Sequence, residues 1–205
     1  MIPTLLVGDF LIVDKFCYGY SRYSFPFHLP LFSGRIGFSD PQRGDVVVFN
    51  NPKDEGKDYI KRLIGLPGDR IEMVKGVLSI NGQPVHLRQI EDFNYTDARG
   101  QTLSVSQYME ILPNGVEHRI IKILPFGQGE KDHFGPLVVP AGHYFFLGDN
   151  RDGSKDSRYE EVGCMPEENL VGQAKFTFFS TTANWYEPWE WPFGARFNRI
   201  FKTIH

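Results

Sequence analysis

The chain has 205 residues, 41% of them hydrophobic and 23% charged, with a formal net charge of −3. That length holds one large domain or a core with a substantial insertion, and the absence of a basic excess or a Lys/Arg cluster in the core argues against a nucleic-acid partner. No run approaches the ~18 apolar residues of a membrane span, and the start MIPTLLVGDF lacks the charged n-region of a signal peptide.

In chain order the elements are mostly β. Residues 5–16, LLVGDFLIVDKF, predict a strand pair or a bent strand broken at Gly8-Asp9. Residues 17–40 are rich in aromatics, Pro and Gly and read as a long surface excursion. RGDVVVF (43–49) is a turn followed by an apolar strand, and NNPKDEGKD (50–58) is a polar loop. YIKRLIGL (59–66) is the next strand, ended by Pro67-Gly68-Asp69. GVLSINGQPVHL (76–87) predicts a hairpin, because Asn81-Gly82 between strand-like runs suits a type I′ turn. Residues 86–139 are more polar and read as an insertion, with HRIIKIL (118–124) as a strand and 126–135 as a loop. PLVVPAGHYFFLGD (136–149) and ENLVGQAKFTFFS (168–180) return to strand character. Helix is scarce; the best candidate lies near the C-terminus, where Phe193, Phe197 and Phe201 fall at i, i+4, i+8 among Arg196, Arg199 and Lys202. Such a helix would either rest on a membrane surface or pack its phenylalanines onto the core. Aromatics make up 15% of the chain, with 18 Phe and a cluster of Trp185, Trp189 and Trp191. Phe-rich 16–38 has the same two readings.

Lys61 stands out chemically. If 59–66 is a strand, Tyr59, Lys61 and Leu63 share a face. A lysine there either snorkels to the sheet edge or loses water and with it basicity. In the second case it can stay neutral and take a proton from a serine hydroxyl. GDNRDGSKDSRY (148–159) is the second concentration of polar groups. It is either a polar turn or a fixed network that orients a catalytic group. Asp156 and Arg158 lie two apart and share a face if that segment is extended. Cys17 and Cys164 form no C-x-x-C pair, so they either bridge or remain buried thiols. The six histidines (His28, His86, His118, His133, His143, His205) show no H-E-x-x-H spacing.

MIPTLL (1–6), RGDVVVF (43–49), YIKRLIGLPGD (59–69) and GDNRDGSKDSR (148–158), in that order, closely resemble the four motif boxes of bacterial type I signal peptidases, family S26. PEENLVGQAKF (166–176) and the C-terminal WPFGARFNRIFKTIH are similar to the Gram-negative branch. The resemblance implies a mainly β fold of coiled antiparallel sheets, as in signal peptidases and self-cleaving repressors. Residues 1–85 and 140–205 would be the halves of a catalytic core, and 86–139 a β-rich variable insertion. By the same resemblance Lys61 matches the general base of a Ser-Lys dyad. Ser154 matches the serine whose hydroxyl bonds and orients that lysine, Asp156 and Arg158 a supporting ion pair, and Asp149 and Arg62 further support. Met1, Leu5, Tyr59 and Ile60 match the pocket for the residue before the cut. Leu11, Val48, Asp58 and Ile60 match the pocket two residues earlier. Shallow apolar pockets of this kind suit the A-x-A ends of signal peptides.

The family's nucleophilic serine immediately precedes the methionine matching Met1, so the chain as read starts one residue after it and is expected to be inactive as it stands. The resemblance further implies transmembrane segments upstream, a bacterial inner membrane with the catalytic domain facing the periplasm, and a monomer. It implies preprotein signal peptides as substrates, contact with the membrane surface through aromatic segments, and no cofactor, metal or nucleic acid. Ser154 as a replacement nucleophile lacks an evident oxyanion hole. Two rival readings stay open. One is a catalytically inactive fragment or paralogue that holds signal peptides by strand addition. The other is a self-cleaving repressor, which needs a DNA-binding helical domain and a basic patch that the sequence does not show.

Overall fold

The computed structural model describes residues 1–25, 34–54, 56–96, 102–183, 189 and 191–204. Among these the fold is built from antiparallel sheets. Alternation of buried side chains along each strand decides which core each sheet face joins.

The largest sheet runs in the order β1 (Asp9–Asp14), β14 (Leu170–Ser180), β2 (Val46–Asn51), β3 (Lys57–Gly65), β12 (His143–Leu147), β13 (Met165–Pro166), with β15 (Lys202–Thr203) also on β14. A second sheet joins β11 (Phe134–Val138), β4 (Arg70–Val74), β5 (Val77–Ile80) and β6 (Gln83–Pro84). The third holds β7 (His86–Gln89), β9 (Thr102–Ile111) and β10 (Glu117–Lys122), with β8 (Phe93–Thr96) also on β9. The strand expected at 118–124 is thus β10, and the 136–149 stretch splits into the end of β11 and β12.

Period-two alternation is clearest on β12. Phe145 and Leu147 enter one buried cluster with Ile64, Ile71, Met73, Leu78 and Ile80. Tyr144 and Phe146 face another with Val47, Phe49, Leu63 and Leu170. A strand with both faces buried reads as a continuous apolar run, and each such side chain contributes about 1.5–3 kcal/mol relative to exposure. Asn81 and Gly82 have φ of 54° and 78°, the two positive angles of a type I′ turn, and β5 pairs β6 antiparallel around them.

Two expectations fail for identifiable reasons. Residues 5–8 are not a strand. Gly8 has φ 88°, a conformation that suits glycine, and a Cβ there would lie 1.9 Å from the Thr181 carbonyl oxygen. Only Asp9–Asp14 is extended. The amphipathic C-terminal helix is also absent. One helical turn, α1 (Trp191–Gly194), and a 3₁₀ turn at Phe197–Arg199 replace it. The backbone there pairs with β14 instead: Arg196 N–H donates to the Ser180 carbonyl at 2.8 Å, and Phe201 N–H to that of Thr177 at 2.7 Å. Phe193, Phe197 and Phe201 are 92%, 75% and 74% exposed, so they do not pack onto the core either. Trp189 is exposed as well, whereas Trp191 packs on Phe10 and Phe179. Trp185, His28, His205 and the middle of the 16–38 excursion lie outside the described residues; of its remainder, Tyr18 and Tyr23 are buried and Phe16 and Tyr20 exposed. Among the described residues no helix is long and apolar enough to cross a membrane.

Candidate active site

Lys61 sits in mid-strand on β3, opposite Val47 of β2. Tyr59 and Leu63, two residues to either side, pack into the cluster around Phe49. The lysine is partly buried, and its Nζ lies 5.6 Å from the Tyr59 ring centroid. Burial lowers its pKa below the ordinary 10.5; the charges of Asp156 and Asp149 oppose that shift, and Arg158 adds to it. The net direction is the one that makes a lysine a base. The Met1 amino group shares this environment. Its pKa falls to about 6, first through burial and then through the nearby Lys61 charge.

Next to Lys61 on the strand, Arg62 is fully buried. Its Nε and Nη2 each donate to Asp149 at 2.9 Å, and Nη1 donates to the Gly44 carbonyl at 2.8 Å. Thr4 donates its hydroxyl proton to Asp149 and accepts from Arg62 Nη2 at 3.3 Å. Burial pushes Asp149 up, but the Arg62 charge and hydrogen bond pull it further, leaving the carboxyl below its ordinary value. A buried charge pair of this kind holds its place only when fully satisfied, and here both partners are.

Asp149 begins the loop that ends at Arg158. Asp156 receives Arg158 Nε and Nη2 at 2.8 Å each and also accepts from the Gly148 N–H at 3.0 Å. Arg158 Nη2 reaches back to the Arg151 carbonyl at 2.7 Å, and Ser157 Oγ accepts from the Phe146 N–H at 2.9 Å. Ser154 is buried against Gly148; its Oγ makes no hydrogen bond among the described residues, so the expected bond to Lys61 is not formed in this structure. The loop is closed on itself by charge-assisted bonds, the stronger kind, and it brings Asp149, Asp156 and Arg158 near enough to act on Lys61.

The residues expected to take substrate divide into groups. Met1, Leu11 and Ile60 pack together on the buried Leu5, with Val46 and Ala174. Val48 lies directly across from Ile60 on the neighbouring strand. Asp58 is exposed, two residues before Ile60, and accepts from Asn50 Nδ2 at 3.0 Å. Tyr59 does not join the Ile60 group: its ring is in the Phe49 cluster and its hydroxyl donates to Asp54 at 2.5 Å. Sequence reasoning missed Thr4, Val46, Ala174 and Gly148. All four lie inside the stretches that carry the resemblance, MIPTLL, RGDVVVF, PEENLVGQAKF and GDNRDGSKDSR, which give each of them a signal but no role. Cys17 and Cys164 are both free thiols. Among the described residues no cluster of three or more His, Cys, Asp or Glu could hold a metal ion.

The profile of the family described as "Signal peptidase, peptidase S26" matches residues 1–179. Proteins named "Signal peptidase I" from Rickettsia typhi and Rickettsia prowazekii are 39% and 37% identical to this chain, covering 100% of it and 82% of each relative. A solved signal peptidase I from Enterococcus faecalis is 31% identical, covering 66% of this chain and 97% of that one, with a TM-score of 0.38. The match over residues 1–179 takes in Lys61, the Arg62–Asp149 pair and the whole Gly148–Arg158 loop, and on it the chain belongs to the signal peptidase family, peptidase S26.

Proposed function

We propose that the chain carries the catalytic core of a signal peptidase I, a serine endopeptidase that removes signal peptides from preproteins with Lys61 as its general base. The observation that carries this reading is a mid-strand lysine of lowered basicity, framed by two buried carboxylates that are already neutralised by Arg62 and Arg158. Because Asp149 and Asp156 are each committed to a guanidinium, neither is free to pair directly with Lys61 and hold it charged.

In the mechanism, neutral Lys61 Nζ takes the hydroxyl proton of a serine as its oxygen attacks the scissile carbonyl carbon. The ammonium then returns that proton to the leaving amine as the peptide bond breaks. An acyl ester to the serine remains. Lys61 next deprotonates a water that attacks the ester, freeing the acid and restoring the serine. The family places that serine one residue before Met1. The Met1 nitrogen is near enough to feel the Lys61 charge, which supports the same placement. The apolar wall of Met1, Leu5, Leu11 and Ile60 supports selection of small side chains before the cut. The exposed Phe193, Phe197, Phe201 and Trp189 suit contact with a membrane surface, as expected for work on exported chains at the outer face of a bacterial inner membrane.

The test uses the chain extended by a serine before Met1 and a preprotein with an Ala-x-Ala end. Cleavage after the second Ala is expected, and Lys61→Ala in the same extended chain should abolish it. Undiminished cleavage by the Lys61→Ala protein sinks the mechanism.

A further inference from the structure

We propose that Glu110, on β9 of the outlying sheet, is a positioning residue: it anchors Arg151 and thereby holds the Gly148–Arg158 loop in place beside Lys61. The loop's role rests on the reading of Lys61 as the base, whereas the anchoring itself does not.

β10 delivers the outlying sheet to the loop. Ile121 donates its N–H to the Asp149 carbonyl at 2.9 Å and accepts from the Arg151 N–H at 3.1 Å, forming a parallel bridge to Asn150. The loop is therefore stitched to β10 by that single bridge. Glu110 locks that stitch. Arg151 Nη1 donates to Glu110 Oε1 at 2.8 Å and Nη2 to Oε2 at 2.5 Å, with side-chain exposures of 1% and 0%. His118, opposite Glu110 in the β9–β10 register, places Nε2 3.2 Å from Oε2. Burial would raise the Glu110 pKa, but Arg151 and His118 hold it down to about 2, so the carboxylate stays charged. A second clamp follows one strand residue further. Lys122 Nζ binds Asp132 at 2.6 Å and Asp152 at 2.5 Å, and Asp152 also accepts from the Ile123 and Leu124 N–H groups.

From Arg151 the constraint runs into the site. Its carbonyl accepts from Arg158, Arg158 grips Asp156, and Asp156 accepts from the Gly148 N–H. Loops hold catalytic groups to the needed tolerance only when a supporting shell fixes them. Removing the carboxylate leaves a buried guanidinium unpaired, and the loop must move to solvate it.

The test begins with amide hydrogen exchange on the chain as it exists. Glu110→Gln should speed exchange at Gly148 and Arg158, whose N–H groups donate to Asp156, and at Arg151, whose N–H donates to the Ile121 carbonyl of β10. Val105→Ala, a core truncation on the same strand, should destabilise the sheet without that local signature. Glu110→Asp, which keeps the charge, should lie between the parent and Gln; it serves as the readout if the Gln protein does not fold. In the serine-extended chain, Glu110→Gln should lower kcat by roughly 10–100-fold, the scale of a sub-ångström to 1 Å misplacement, while KM stays within about twofold because the Ile60 group is untouched. Loop exchange unchanged in folded Glu110→Gln, or equal in Glu110→Gln and Val105→Ala, overturns the proposal. If the extended parent fails to cut at all, it is the Lys61 mechanism that falls, and the exchange data still decide the anchor.

Discussion

Gly148→Ala isolates the packing between the loop and its own first residue. A Cβ built on Gly148 lies 2.0 Å from Ser154 Oγ and 2.4 Å from Ser154 Cβ. To reach ordinary van der Waals contact, the serine must retreat by about 1 Å or more. It has little room to do so, because it is buried and flanked by the bonded Asp156. Overpacking of this kind costs about 1–3 kcal/mol, and for a chain of this length each kcal/mol lowers Tm by about 2–4 °C. The resemblance assigns Ser154 the orienting of Lys61, although the two are not bonded in this structure, and on that role a 1 Å displacement lowers kcat by about 100-fold. Thermal unfolding of the chain reads the first effect, and single-turnover cleavage by the serine-extended chain reads the second. The double variant Gly148→Ala/Ser154→Gly removes both clashing atoms, so it should recover the Tm but not the rate. Gly148→Ala with parental Tm and parental kcat would refute the reasoning at its source.

Other consequences follow from the same geometry. Asp149→Asn removes the carboxylate paired with the fully buried Arg62 guanidinium and should cost about 3–5 kcal/mol, read by chemical denaturation; a change under 1 kcal/mol is incompatible with the pair described. Glu110 is held at about 2 against an ordinary value near 4.5. Because its folded pKa is depressed, its contribution to stability is fully present above about 4.5 and is lost as pH falls through about 2. Unfolding curves measured between those limits should therefore decline less steeply for Glu110→Gln than for the parent. Phe193→Ser, Phe197→Ser and Phe201→Ser together should reduce co-sedimentation with lipid vesicles while leaving unfolding within about 0.5 kcal/mol per site, since all three rings are exposed. Vesicle binding undiminished in that triple variant excludes these rings as the contact.

What the sequence revealed and what it hid follow from the range of the interactions. Strands β2, β3, β12 and β14 were readable because their alternation is local and buried on at least one face. The Asn81-Gly82 hairpin was readable because its turn chemistry is confined to two residues. Lys61 was conspicuous for the same reason, being a charge inside an apolar run. The Gly148–Arg158 network was visible as a density of Ser, Asp and Arg, and its internal bonds span ten residues or fewer. The Glu110–Arg151 pair spans 41 residues, and nothing near Glu110 distinguishes it from a solvated strand charge. Thr4 meets Asp149 across 145 residues, so a lone threonine beside a proline gave no sign of its role. The C-terminal phenylalanines misled in the opposite way: their i, i+4, i+8 spacing is helical, but hydrogen bonds to Ser180 and Thr177 of β14 took the backbone elsewhere. The resemblance placed Tyr59 with Ile60 in one pocket, whereas adjacent residues on a strand point to opposite faces, and the Tyr59 ring lies in the Phe49 cluster.

The account turns on Lys61 acting as a neutral amine. The most direct measurement is an NMR titration of its side-chain ε position, set beside the pH dependence of single-turnover cleavage by the serine-extended chain. The burial of Lys61 predicts an ε-amine that titrates below its ordinary 10.5. It also predicts a cleavage rate that rises with pH through that same value, because only the deprotonated form can take the serine's proton. An ε-amine titrating at its ordinary value, or a rate that climbs through a pKa unrelated to it, contradicts the account.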